Sequence, residues 1–196
     1  MITVVLATHN AHKVTELRRI FDGLPIELVS GNDLDLPDIE ETGETFAENA
    51  LLKARACAAM TGLPAVADDS GIVVDGLGGD PGVRSARYAG SHGDDEANLR
   101  LVLERLHAST ERSARFVCVA ALVLPDGTEV TEEGVMEGVI TSEPRGDGGF
   151  GYDPIFVARG ERRTNAELTA EEKDAISHRG AAFRALRPHL EKLSAG

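Results

Sequence analysis

Two adjacent acids, Asp68 and Asp69, stand between short apolar runs at 65–67 and 71–74. Like charges this close repel, so neighbouring carboxylates persist where a cation or a shared proton relieves them. Such a pair suits hydrolysis: one carboxylate ligates a divalent ion while the other orients or deprotonates an attacking water. The same acids, followed by Ser70 and Gly71, equally fit a hairpin tip, with Gly71 supplying an unusual backbone angle. A second acidic cluster, Asp38-Ile39-Glu40-Glu41-Thr42-Gly43-Glu44, reads either as a solvated loop or as a source of hard oxygen ligands. Mg²⁺ typically takes one or two carboxylates together with waters and phosphates.

Three further clusters interrupt the apolar pattern. Thr8-His9-Asn10-Ala11-His12-Lys13 lies between a strand and a helix, where backbone N–H groups and the helix dipole favour an anion. Thr8 and Asn10 can cap or donate, and Lys13 reaches an anion as a point charge. Taken alone, the cluster fits an ordinary helix cap with an exposed Lys better, and it lacks the spacing of a P-loop. Gly146, Gly148 and Gly151 satisfy G-x-G-x-x-G, but Pro154 and apolar Ile155-Phe156-Val157 follow, so a strand rather than a helix comes next. That excludes the dinucleotide fingerprint. A flexible loop presenting Phe150 or Tyr152 to a base fits better. The chain has six Phe, two Tyr and no Trp, and two of those aromatics fall in this loop. The last cluster runs from Glu171 to Gly180, where a glycine inside a helical pattern predicts a break or close contact near His178 and Arg179.

These residues need elements to hold them. Residues 2–8 read as a strand buried on both faces. Val14, Leu17, Ile20, Phe21 and Leu24 recur at helical spacing, and 26–30 form a second strand. Thr45-Phe46-Ala47-Glu48 is a capping box that opens an Ala-rich helix ending at Gly62. Short strands flank an Asp68–Ser70 tip, and residues 75–93 form a long loop. A helix over 94–107 follows, and then a hairpin turning at Pro125-Asp126-Gly127. A strand at 155–158 precedes a second capping box at Thr169, whose helix runs on towards Leu193. The order predicts an α/β fold of mixed α+β character, with one mixed sheet flanked by helices, in a single domain over residues 1–196.

Composition narrows the function. The formal net charge of −13 disfavours broad nucleic-acid binding, which needs a basic face. It leaves room for a polyphosphate held by a few local cations and a metal. No apolar run approaches the roughly 20 residues that span a bilayer. The start has no basic leader, so a cytoplasmic location without membrane attachment is expected. Cys57 and Cys118 read as buried free thiols.

The clusters together resemble the inosine triphosphate pyrophosphatase family of non-standard purine nucleoside triphosphate pyrophosphatases. The carrying motifs are T-x-N-x-x-K at Thr8–Lys13 and Glu41-Thr42-Gly43 with Phe46-x-Glu48-Asn49-Ala50. Asp68-Asp69-Ser70-Gly71 and Pro81-Gly82-Val83-x-Ser85-Ala86-Arg87-Tyr88 follow, then Gly149–Pro154 and Lys173-x-x-x-Ser177-His178-Arg179. His9 departs from the glycine common there in bacterial members. The resemblance implies hydrolysis of ITP, dITP and XTP to monophosphate and pyrophosphate, with Mg²⁺ or Mn²⁺ as cofactor. It implies Asp69 as catalytic residue and metal ligand, and Glu40, with Glu41 as its alternative, as the second metal carboxylate. Substrate contacts are implied at Thr8, His9, Asn10, Ala11, His12, Lys13, Ser70, Phe150, Gly151, Tyr152, Asp153, Lys173, His178 and Arg179. An elongated two-lobed fold with the active-site cleft between the lobes, working as a homodimer, is also implied. A Maf-type pyrophosphatase would open on S-x-S-P-R-R, which is absent. A non-catalytic nucleotide-binding module would be favoured by loss of the acidic pair, which is present.

Overall fold

The computed structural model describes residues 2–195. The elements are β1 (Ile2–Leu6), α1 (Ala11–Ile20), β2 (Ile26–Ser30), α2 (Phe46–Thr61), β3 (Ala65–Val74) and α3 (Asp95–Arg105). They continue with β4 (Ser113–Val123), β5 (Glu129–Ile140), β6 (Phe156–Ala158), α4 (Ala170–Ile176) and α5 (His178–Ala195). The strands form one mixed sheet in the order β2-β1-β3-β4-β5-β6. β1 runs parallel to β2 and β3, and β6 pairs antiparallel with β5. The chain divides into two compact units.

The first unit comprises the residues up to Asp69, Cys118–Gly134 and those from Arg179 onward. Its strands alternate strictly. Val4, Leu6, Cys118 and Leu122 pack with Val14, Leu17, Phe21, Phe183 and Leu186 of α1 and α5. Val5, Ala7, Val119 and Ala121 turn instead to Ala50, Ala54 and Cys57 of α2. The period of two in a strand sends successive side chains to opposite faces, and here both faces are apolar because helices cover both. Small residues on the α2 face let that helix lie close, and Phe21 meets Phe183 edge to face at 5.5 Å. Both cysteines are buried and free.

The second unit comprises Ser70–Val117 and Val135–His178. Its core gathers Ile72, Val74, Leu99, Val102, Leu106, Phe116, Met136, Ile140, Ile155 and Phe156.

The local signals act as expected at most element ends. Thr45 Oγ1 accepts from Glu48 N at 3.2 Å while Glu48 Oε2 accepts from Thr45 N at 3.0 Å, and Gly62 closes α2 with φ 67°. The turn at Gly127 uses φ 87°, and Thr128 N donates to Asp126 Oδ1 at 2.8 Å. Two expectations fail. Asp68–Ser70 is no tip: β3 runs unbroken through it for 10 residues. Gly71 has no left-handed angle; a Cβ there would collide with Gly82 O and Ser85 Oγ. The break expected near His178 and Arg179 is present, immediately before them. Ser177 is extended, at φ −68° and ψ 148°, and separates α4 from α5.

Candidate active site

In the first unit, β3 carries Asp68 and Asp69 inward as a strand, so the acids are buried rather than lifted on a turn. Asp68 is 2% and Asp69 5% exposed. Burying charge is costly unless partners compensate. For Asp68 they come from both ends of the chain. Lys13 Nζ donates to its Oδ2 at 2.9 Å, and Arg179 Nε approaches the same oxygen at 3.4 Å. Arg179 also pairs with Glu16, one turn along α1 from Lys13. The Cys118 thiol lies 3.9 Å from Asp68. Burial opposes the Asp68 charge, but Lys13, Arg179 and Lys53 outweigh it and hold the carboxyl well below the usual range.

Asp69 has the opposite environment. Its Oδ2 accepts from the neutral amide of Asn49 at 3.0 Å. Burial pushes its carboxyl up to about 6; Lys53 opposes the rise and the charge of Glu41 adds to it. Asn49 and Lys53 are four apart on α2 and so share a face. Lys53 Nζ binds Glu41 and feels Asp68, Glu41 and Asp69, whose charges outweigh burial and raise it. Three cations (Lys13, Lys53, Arg179) therefore meet four carboxylates (Glu16, Glu41, Asp68, Asp69) in one unit. The hard anionic oxygens of Asp69 and Glu41 fit a divalent ion of the Mg²⁺ kind, which needs few protein ligands. It does not fit a protein cage: among the described residues no three His, Cys, Asp or Glu side chains gather as one.

The turn ahead of α1 is a tight cap. Asn10 Oδ1 accepts from His12 N at 2.9 Å and Lys13 N at 3.2 Å, and Asn10 N donates to Thr8 Oγ1 at 3.2 Å. Those amides are directed at side chains of the turn itself, while Lys13 carries the charge.

In the second unit, Asp153 is the hub. It is 3% exposed and accepts from Lys173 Nζ at 2.6 Å, Phe150 N at 2.9 Å and Asn165 Nδ2 at 3.2 Å. A Cβ on Gly149 would collide with that carboxylate, and Gly149 and Gly151 adopt φ 71° and 63°. The glycines thus let the loop wrap Asp153 closely; they are not a slack hinge. Lys173 Nζ stands 4.8 Å from the Phe150 ring centre. Tyr152 is no open stacking face, because it is 5% exposed and its hydroxyl donates to Ser85 O at 2.8 Å. Phe150, half-buried, is the aromatic left to meet a ligand. His178 is buried and stacks on Phe116 at 4.8 Å. Ser70 is half-buried and opens this unit.

The structure therefore brings Lys13, Asp68, Asp69 and Arg179 together in the first unit, and Phe150, Asp153 and Lys173 in the second. Glu40 is exposed and Glu41 half-buried, and it is Glu41 whose charge reaches Asp69. Sequence reading missed Glu16, Asn49, Lys53 and Asn165 as members of these clusters. Two signals pointed to them: a lone Asn and Lys at i and i+4 in an Ala-rich helix, and Glu16 one turn from Lys13.

The Ham1 family model matches residues 4–189. A "dITP/XTP pyrophosphatase" of Streptomyces coelicolor is 59% identical over 198 residues, covering 98% of this chain and 99% of its own. One of the same description from Geobacter sulfurreducens is 51% identical, covering 97% of each. Among solved structures, a HAM1 protein from Coxiella burnetii superposes with a TM-score of 0.90 at 46% identity, covering 98% of this chain and 100% of its own.

Proposed function

The chain belongs to the Ham1 family, and from that premise we propose that it hydrolyses ITP, dITP and XTP to the nucleoside monophosphate and pyrophosphate, clearing non-standard purines from the nucleotide pool. The observation that carries the reading is the difference between two adjacent buried carboxylates: Asp68 is held by Lys13 and Arg179, whereas Asp69 accepts from the neutral amide of Asn49. A carboxylate so placed can orient a water and accept its proton.

In the proposed reaction Asp69 orients a water and takes its proton as the oxygen bonds to the α-phosphorus. The bond from that phosphorus to the bridging oxygen breaks, and pyrophosphate leaves with the electron pair. Asp69 and Glu41 would hold Mg²⁺, or Mn²⁺ with the same ligand preference. When bound, such an ion supplies positive charge for the phosphate oxygens. Lys13 and Lys173 offset charge on the leaving group, and phosphoryl transfer depends chiefly on such positioning and electrostatics. Phe150 stacks on the base. His178 and Arg179 present donors to a 6-oxo acceptor; adenine, with a 6-amino donor there, leaves polar groups unmatched at about 1–3 kcal/mol each.

The test is product analysis with ITP, XTP, GTP and ATP, each with Mg²⁺ and with chelator. Metal-dependent pyrophosphate from ITP and XTP, with GTP and ATP nearly inert, is expected. Orthophosphate release would overturn the cleavage site, and no turnover of any substrate would overturn the activity.

A further inference from the structure

His9 is the residue of the first turn whose side chain has no part in the reading above. Its ring is 32% exposed, yet both nitrogens are engaged in the first unit. Nε2 lies 2.8 Å from Leu36 O, and Nδ1 lies 2.8 Å from Asp38 Oδ1. A peptide carbonyl and a carboxylate only accept, so the ring satisfies both only when both nitrogens carry hydrogen. The ring packs on Gly31, where a Cβ would stand 3.3 Å from Nε2. Asn32 Nδ2 donates to His9 O at 3.2 Å, and Leu36 N donates to Gly31 O at 3.0 Å.

These contacts fall on the segment that leads into the acidic cluster. Further on, Glu41 is tied by Lys53 and Gly43 N by Asn49 Oδ1 at 2.8 Å. The segment from Leu36 to Gly43 is thus held at its far end by α2 and at its near end by His9, together with the Leu36 backbone bond to Gly31 and the packing of the Leu36 side chain.

We propose that His9 is a positioning residue: its ring bolts the Leu36–Asp38 segment to the turn that carries Lys13, and so presets Glu41 beside Asp69. Ordering a loop beforehand removes an entropic cost that ligand binding would otherwise bear. The consequence for metal rests on the function proposed above; the latch itself does not. Asp38 is the charged group at the ring, while the flanking Thr8, Asn10, Gly31 and Asn32 are neutral. A neutral ring keeps one of the two contacts.

The test is hydrogen exchange of the segment 34–42 in metal-free protein, for wild type, His9→Ala, His9→Gln and Asp38→Asn. Exchange in His9→Ala is expected to rise about fivefold, the equivalent of one hydrogen bond. His9→Gln restores one donor and falls between. Asp38→Asn, at a 92% exposed side chain, keeps the fold and gives a smaller rise, because the contact to the Leu36 carbonyl remains. Identical exchange in wild type and His9→Ala would overturn the latch, as would acceleration spread evenly over the first unit. The Mg²⁺ concentration giving half-maximal pyrophosphate release from ITP should rise about fivefold in His9→Ala. An unchanged value beside altered exchange would overturn the positioning role. A wild-type protein that releases no pyrophosphate would count against the proposed function, leaving the exchange data to judge the latch.

Discussion

Asp68 and Asp153 are both nearly fully buried, and each is paired with a lysine, Lys13 at 2.9 Å and Lys173 at 2.6 Å. Their surroundings differ. Around Asp153 the further donors to the carboxylate are neutral, the amide of Asn165 and the backbone of Phe150. Its products are shape and an aromatic ring with an ammonium above it. Around Asp68, Arg179 and Lys53 join Lys13, and Glu16, Glu41 and Asp69 belong to the same charge network. A lysine held among neutral donors rigidifies a loop; a network of several charges keeps one carboxylate anionic while burial lifts its neighbour.

Several substitutions would break or sharpen that contrast. The largest effect is expected at Asp69→Asn, which removes the base from a folded protein; kcat for ITP should fall by about 10²–10⁴-fold. Retention of a near wild-type rate would remove Asp69 from the chemistry. Next is Arg179→Ala, which strips Asp68 and Glu16 of a shared buried partner. Urea unfolding should show a loss of roughly 3–5 kcal/mol, the cost of breaking a buried ion pair from one side. Arg179→Lys keeps the charge without the planar fork, so it should fold better and narrow the preference for ITP over ATP.

The third expectation concerns pH. Burial on folding raises the Asp69 carboxyl from its ordinary 3.8 to about 6, so the protonated form is the one folding favours. That contribution is complete below about pH 4 and is lost as pH rises through about 6. In chelator at about pH 8, Asp69→Asn should be more stable than wild type by roughly 1–3 kcal/mol, and the gap should close at about pH 4. A gap that stays constant with pH would contradict the raised carboxyl. The smallest effect lies in the second unit. Phe150→Leu should raise KM for ITP by about tenfold, in keeping with the worth of one stacked base, with kcat little changed. A matching fall in kcat would contradict a stacking role confined to binding.

Much of the frame was legible because its signals are local. The Thr45 and Thr169 boxes, the turn at Gly127 and the apolar run of β4 each depend on residues a few positions apart. The path of β3 through Asp68 and Asp69 was not. Two acids read as a turn until Lys13 and Arg179, 55 and 111 residues away, arrive to neutralise one of them. Lys53 hid for the same reason, since its carboxylate partners lie on a loop and a strand outside its own helix. The motif order singled out Lys13, Asp68, Asp69 and Arg179, which the fold gathers in the first unit, and passed over Glu16 and Lys53. Only the fold could assign Tyr152 to packing rather than stacking, and place the charge of Glu41 rather than Glu40 at Asp69.

The most direct test of the central claim is hydrolysis of ITP with Mg²⁺ in ¹⁸O-labelled water, followed by mass spectrometry of both products. Attack at the α-phosphorus places the label in inosine monophosphate and leaves pyrophosphate unlabelled, which is the expected result. Label in pyrophosphate or in orthophosphate would move the attack to another phosphorus and contradict the account.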